Sequence, residues 1–137
     1  MIKDPVIIQF DDDDSFFTVV ELIAYNMDLK IAGKAKNIEQ ARGLIHKIES
    51  GELKPDIAII ANYLGNGFQD GELLTKKLKA IYPSIKVISY VTDPETNWGD
   101  YLAIKGSKVP SQTLTMCLCE LTGKEFKASN IKDSEGV

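Results

Sequence analysis

The chain has 137 residues, 44% of them hydrophobic and 26% charged, with a formal net charge of −4. That length suits one domain with a two-sided core, and the balance is ordinary for a globular protein. The acidic excess argues against non-specific nucleic-acid binding, which needs Lys and Arg gathered against phosphates. No stretch approaches the roughly 20 apolar residues of a membrane span.

Residues 1–5 contain Lys3 and Asp4 and do not read as a signal peptide. Val6 to Phe10 reads as a first strand, stopped by Asp11-Asp12-Asp13-Asp14-Ser15. Asp13 to Ser15 suit the cap of the next helix, whose positive N-terminus favours anions. Phe16, Val19, Val20, Ile23 and Met27 then recur at helical spacing. Leu29 to Ala35 is a second strand. Asn37 is an N-cap, and Ile38, Ala41, Leu44, Ile45 and Ile48 form the apolar face of a second helix ending before Gly51. His46 falls among polar positions and reads as a surface residue.

Pro55-Asp56 leads into consecutive apolar residues from Ile57 to Ala61, without an amphipathic period, as in a strand covered on both faces of a parallel sheet. Gly65 and Gly67 follow, then Asp70-Gly71-Glu72-Leu73-Leu74, opening a third helix made by Leu73, Leu74, Leu78 and Ile81 with an end near Pro83. Ile85 to Thr92 is a fourth strand. Only eight residues, Asp93 to Asp100, separate it from Tyr101 to Ile104, and Pro94, Asn97 and Gly99 leave room for about one helical turn. Pro110 opens a last helix with Leu114, Cys117, Leu118 and Leu121 inward and Gly123 as its stop. Cys117 and Cys119 diverge on that helix, so they read as two reduced thiols, not a disulfide or metal pair, in a cytoplasmic protein. One domain over 1–122 and a polar, flexible tail over 123–137 is the expected division.

The order of elements and the Pro55-Asp56 to Leu74 stretch resemble the receiver domain of bacterial response regulators, of the CheY-like kind. The resemblance implies an α/β fold of three layers, with a five-stranded parallel sheet in the order 2-1-3-4-5. The eight-residue connection implies that its fourth helix is shortened or lost. It also implies a site at the carboxyl ends of the strands. There the acidic pair falls on Asp11 and Asp12, the phosphoacceptor position on Ala61, the switch hydroxyl on Val91 with Thr92 one residue late, and the lysine on Lys105. Ala61 has no nucleophile, so the site is degenerate, and Asp11 and Asp12 are expected to hold Mg²⁺ weakly or not at all. Thr92 could replace the missing hydroxyl only if the strand end is bulged. Lys105 has two readings, a counter-charge for Asp11 and Asp12 or a solvated loop lysine.

The expected function is a phosphorylation-independent pseudo-receiver that signals by protein–protein interaction, with no cofactor. Its partners would be proteins, a histidine kinase or an output protein among them, or a second copy of the chain. Loss of the fourth helix should uncover the sheet edge and offer Tyr90, Trp98 and Tyr101 as a contact surface, unless Trp98 folds back to plug the gap. Two rival readings stand beside this one. Asp11-x-Asp13-x-Ser15 resembles the first motif of haloacid-dehalogenase-type phosphatases, with Asp11 as nucleophile and Asp13 as general acid/base. Alternatively, phosphorylation could move to another Asp of the cluster, such as Asp12.

Overall fold

A computed structural model describes residues 2–65, 70–93, 95–106 and 112–127. Nine elements run in the order β1 (Ile7–Phe10), α1 (Asp14–Asn26), β2 (Ile31–Ala35), α2 (Ile38–Glu49), β3 (Ile57–Ile60), α3 (Asp70–Ile81), β4 (Lys86–Val91), β5 (Tyr101–Ile104) and α4 (Gln112–Thr122), among the described residues. All strand pairings are parallel, and the sheet order is β2-β1-β3-β4-β5, as expected. Between β4 and β5 the described residues form no helix, so the short connection does what its length required.

Strand alternation divides the core into two layers. Ile7, Ile57, Ile59, Ile88, Tyr90 and Ala103 point toward α1 and α4, whereas Ile8, Phe10, Ala58, Ile60 and Val87 point toward α2 and α3. β1 and β3 are buried along their whole length, which is why their sequences carry no amphipathic period.

Local chemistry fixes the helix ends. Asp13 caps α1 by accepting the Ser15 N–H at 3.0 Å and the Ser15 hydroxyl at 2.7 Å. Asn37 caps α2 by accepting the Gln40 N–H at 2.8 Å. The α4 face of Leu114, Cys117, Leu118 and Leu121 is buried as expected, and the Gly123 N–H closes the helix on the Cys119 carbonyl. Pro110, expected to open that helix, lies outside the described residues.

Leu73 is 58% exposed, because Leu74 and Leu78 already fill the α3 side of the core. Two expectations are corrected. The expected tail does not leave the domain at Gly123. The Lys127 N–H donates to the Asn26 carbonyl at 2.8 Å, Lys127 pairs with Asp28, and Phe126 packs against the α1/α4 layer. Residues 128–137 lie outside the described part. The outer edge of β5 is also not bare. The Ile104 N–H donates to the Thr113 hydroxyl at 2.6 Å, and the Cys117 thiol lies 3.5 Å from the Leu102 carbonyl, so α4 caps the edge that loss of a helix was expected to uncover.

Candidate functional site

The register places Asp11, Ala61 and Lys105 each one residue past the paired ends of β1, β3 and β5, together at the carboxyl edge of the sheet. That edge is where open α/β sheets carry their sites. Its chemistry is already satisfied from within. Lys105 Nζ lies 2.8 Å from Asp11 Oδ2, with side chains 10% and 1% exposed, and Asp11 Oδ1 accepts the Asp13 N–H at 3.1 Å. Lys105 thus pairs with Asp11, while Asp12 is exposed.

Aromatic rings close the pocket around the ammonium. Lys105 Nζ sits 4.3 Å from the centroid of Phe16 and 5.6 Å from that of Tyr90, and these two rings meet edge to face at 5.6 Å. Burial pushes the Asp11 carboxyl above its ordinary range, an effect that the charge and hydrogen bond of Lys105 oppose.

Ala61 and Val91 bring only hydrocarbon side chains to this edge. Ala61 is 2% exposed and presents a methyl group. Val91 is 1% exposed, and its carbonyl accepts the Lys105 N–H at 2.7 Å. Thr92 is exposed in the bend after β4. Neither β3–β4 nor β4–β5 shows a register shift, so the bulge that would turn its hydroxyl inward is not formed. A Mg²⁺ ion does not fit the residues present. Both Asp11 oxygens are engaged, Ala61 has no side-chain oxygen to offer, and no group of three His, Cys, Asp or Glu residues is placed to hold a metal among the described residues.

Beside this edge, Trp98 takes over part of the space of the shortened connection. Its indole N–H donates to Asn62 Oδ1 at 2.8 Å and its ring lies against Gly71, where an added Cβ would come 2.6 Å from Trp98 Cζ2 and collide with the Ala61 carbonyl. Gly71 is thus required by close approach of α3 to the end of β3. The Ser89 hydroxyl, accepting the Gly99 N–H at 2.8 Å, and Asp100, accepting the Val87 N–H at 2.8 Å, tie the same connection to β4.

The contact surface expected from Tyr90, Trp98 and Tyr101 is not assembled. Tyr90 is 1% exposed, and Trp98 packs on the α2/α3 layer while Tyr101 packs on the α1/α4 layer, opposite faces of one sheet. Sequence reasoning missed Phe16 and Tyr90 as walls of the Lys105 pocket, and Asn62 as the partner of Trp98. An aromatic three residues after the Asp13 cap and another on β4 carry no signal until the strands are aligned.

Comparison with solved structures decides the fold. The chain superimposes on the RcsB response regulator of Salmonella typhimurium with a TM-score of 0.70 at 16% identity, covering 97% of this chain and 68% of that one. It has the receiver fold. The receiver domain of the PhyR response regulator from Erythrobacter litoralis gives a TM-score of 0.68 at 15% identity, covering 86% and 89% of the two chains. A CheY-like receiver domain protein from Methanospirillum hungatei gives 0.65 at 21%, covering 88% and 94%. No protein-family profile and no curated protein sequence matches the chain. The likeness to receivers is therefore one of architecture, with the site residues free to differ.

Proposed function

We propose that this chain is a pseudo-receiver, a phosphorylation-independent signalling module of the two-component type that works by binding other proteins. The observation that carries this reading is Ala61, a buried methyl group at the strand end where the receiver resemblance puts the phosphoacceptor. The Asp11–Lys105 pair adds support, since the carboxylate that would help hold a metal is committed to an internal cation. Retaining the fold without its chemistry costs the sheet nothing, because packing of the two layers does not depend on that edge. The module is read as non-enzymatic and cytoplasmic, with a histidine kinase or an output protein as its partner and no cofactor.

The phosphatase reading loses ground on geometry. A nucleophile must reach its substrate, and Asp11 is 1% exposed with both oxygens engaged, while Asp13 is occupied in capping α1. Incubation with phosphoramidate and Mg²⁺, followed by intact mass analysis, tests the proposal. No phosphoryl adduct is expected. A hydroxylamine-labile adduct that disappears in Asp12→Asn would overturn it in favour of transfer to a different aspartate.

A further inference from the structure

Helices α2 and α3 pack side by side and leave a groove of about 240 Å³ at the surface. Its apolar lining includes Ile38, Ala41 and Ile45 from α2 and Leu73 from α3, with Arg42 and Lys77 on its rims. Leu73 is the informative side chain. It is 58% exposed on a helix whose inward positions are already filled, so the fold gives no reason for an apolar residue there. Arg42 and Lys77 are both exposed, whereas Asp70, the acidic residue of the groove, is 8% exposed and accepts the Leu64 N–H at 2.9 Å. The charges that the groove turns to solvent are therefore both positive, on a chain whose net charge is −4.

An apolar floor between two helices with a charged rim is the shape that receives the apolar face of a third helix. The rim selects the sign of its flanking charges, because complementary potentials steer encounter and like charges are rejected. We propose that the α2–α3 groove docks an acidic amphipathic helix of a partner protein. Apolar anchors at i and i+3 or i+4 would meet Leu73 and Ile45, and Asp or Glu residues at the helix flanks would meet Arg42 and Lys77. This surface would supply the protein contact that the pseudo-receiver reading requires, and it rests on that reading only for its biological setting.

The test is selection of helix-constrained peptides from a display library on the intact protein, with counter-selection on Leu73→Ser. Because Leu73 is exposed, that variant should fold normally, which circular dichroism checks. The proposal expects enriched peptides rich in Asp and Glu around helically spaced apolar residues. Their anisotropy-measured affinity should fall by about tenfold or more in Leu73→Ser. It should weaken with salt, and Arg42→Glu/Lys77→Glu should reverse the charge preference. No enrichment over counter-selection, enrichment of basic or uncharged peptides, or affinity indifferent to Leu73 would each overturn it. So would concentration-dependent self-association abolished by Leu73→Ser, which would assign the groove to a second copy. Phosphoryl transfer to Asp12 would sink the phosphorylation-independent reading and leave the peptide result unchanged, so the two failures are distinguishable.

Discussion

Lys105 and Asp11 meet at 2.8 Å with almost no access to water, and the face of Phe16 lies 4.3 Å from the same ammonium. Each charge is tolerated because the other is there. Lys105→Met strands a buried carboxylate and should cost about 3 kcal/mol at neutral pH. Asp11→Asn/Lys105→Met should recover most of that loss, since an apolar replacement of a buried pair is often neutral. Urea unfolding of the single and double variants measures the coupling.

The same pair predicts a pH dependence. Burial holds the Asp11 carboxyl above its ordinary value of 3.8, and Lys105 opposes that rise. The folded protein thus keeps this proton to higher pH than the unfolded chain, so the contribution of Asp11 to stability declines as pH climbs from near 3.8 through the folded value. Lys105→Met removes the opposing influence and moves the folded value higher still. The stability gap between wild type and Lys105→Met should be small in acid, where Asp11 is protonated in both, and should widen toward neutral pH. A gap that is constant with pH, followed by urea midpoints, would show that the lysine stem rather than its charge matters.

Trp98 supplies a local reporter. Trp98→Phe removes the donor to Asn62, which is 9% exposed, together with the outer indole atoms that lie against Gly71, and should cost at least about 1–2 kcal/mol. Gly71→Ala forces a methyl group into the space between Trp98 and the Ala61 carbonyl. It should cost about 3 kcal/mol and shift the Trp98 emission, which fluorescence-detected unfolding reads directly.

The capped edge of β5 gives a prediction of another kind. Thr113→Val is close to isosteric but removes the oxygen that accepts the Ile104 N–H at 2.6 Å. Amide exchange at Ile104 should accelerate, stability should drop by about 1 kcal/mol, and self-association should increase as the edge becomes available for pairing. Hydrogen exchange and sedimentation together check it, and unchanged protection at Ile104 would contradict the capping role.

Much of the architecture was legible because it is written in local chemistry. The unbroken apolar run from Ile57 to Ala61, the caps at Asp13 and Asn37, and the short connection from Asp93 to Asp100 each require nothing from elsewhere in the chain. What stayed hidden depends on distant pairs. Tyr90 reads as a surface aromatic until alignment of β4 with β3 and β5 turns it beneath Lys105. Leu73 fits helical spacing equally well inward or outward, and only the filled core settles its direction. Thr113 gives no sign in sequence that it will cap a strand edge nine residues earlier. At the site, sequence placed Ala61 at the strand end but left Lys105 open between two roles, because its offset along β5 is resolved only by the register with β4.

The central claim, that this receiver-fold edge no longer takes a phosphoryl group, is tested most directly by amide NMR during titration with Mg²⁺ and beryllofluoride, a phosphoryl analogue that needs a carboxylate at the acceptor position. The account predicts no saturable shift at Asp12, Ala61, Val91 or Lys105 in the wild-type protein. Saturable shifts at those amides, lost in Asp12→Asn, would contradict it and restore a working phosphoacceptor to the cluster.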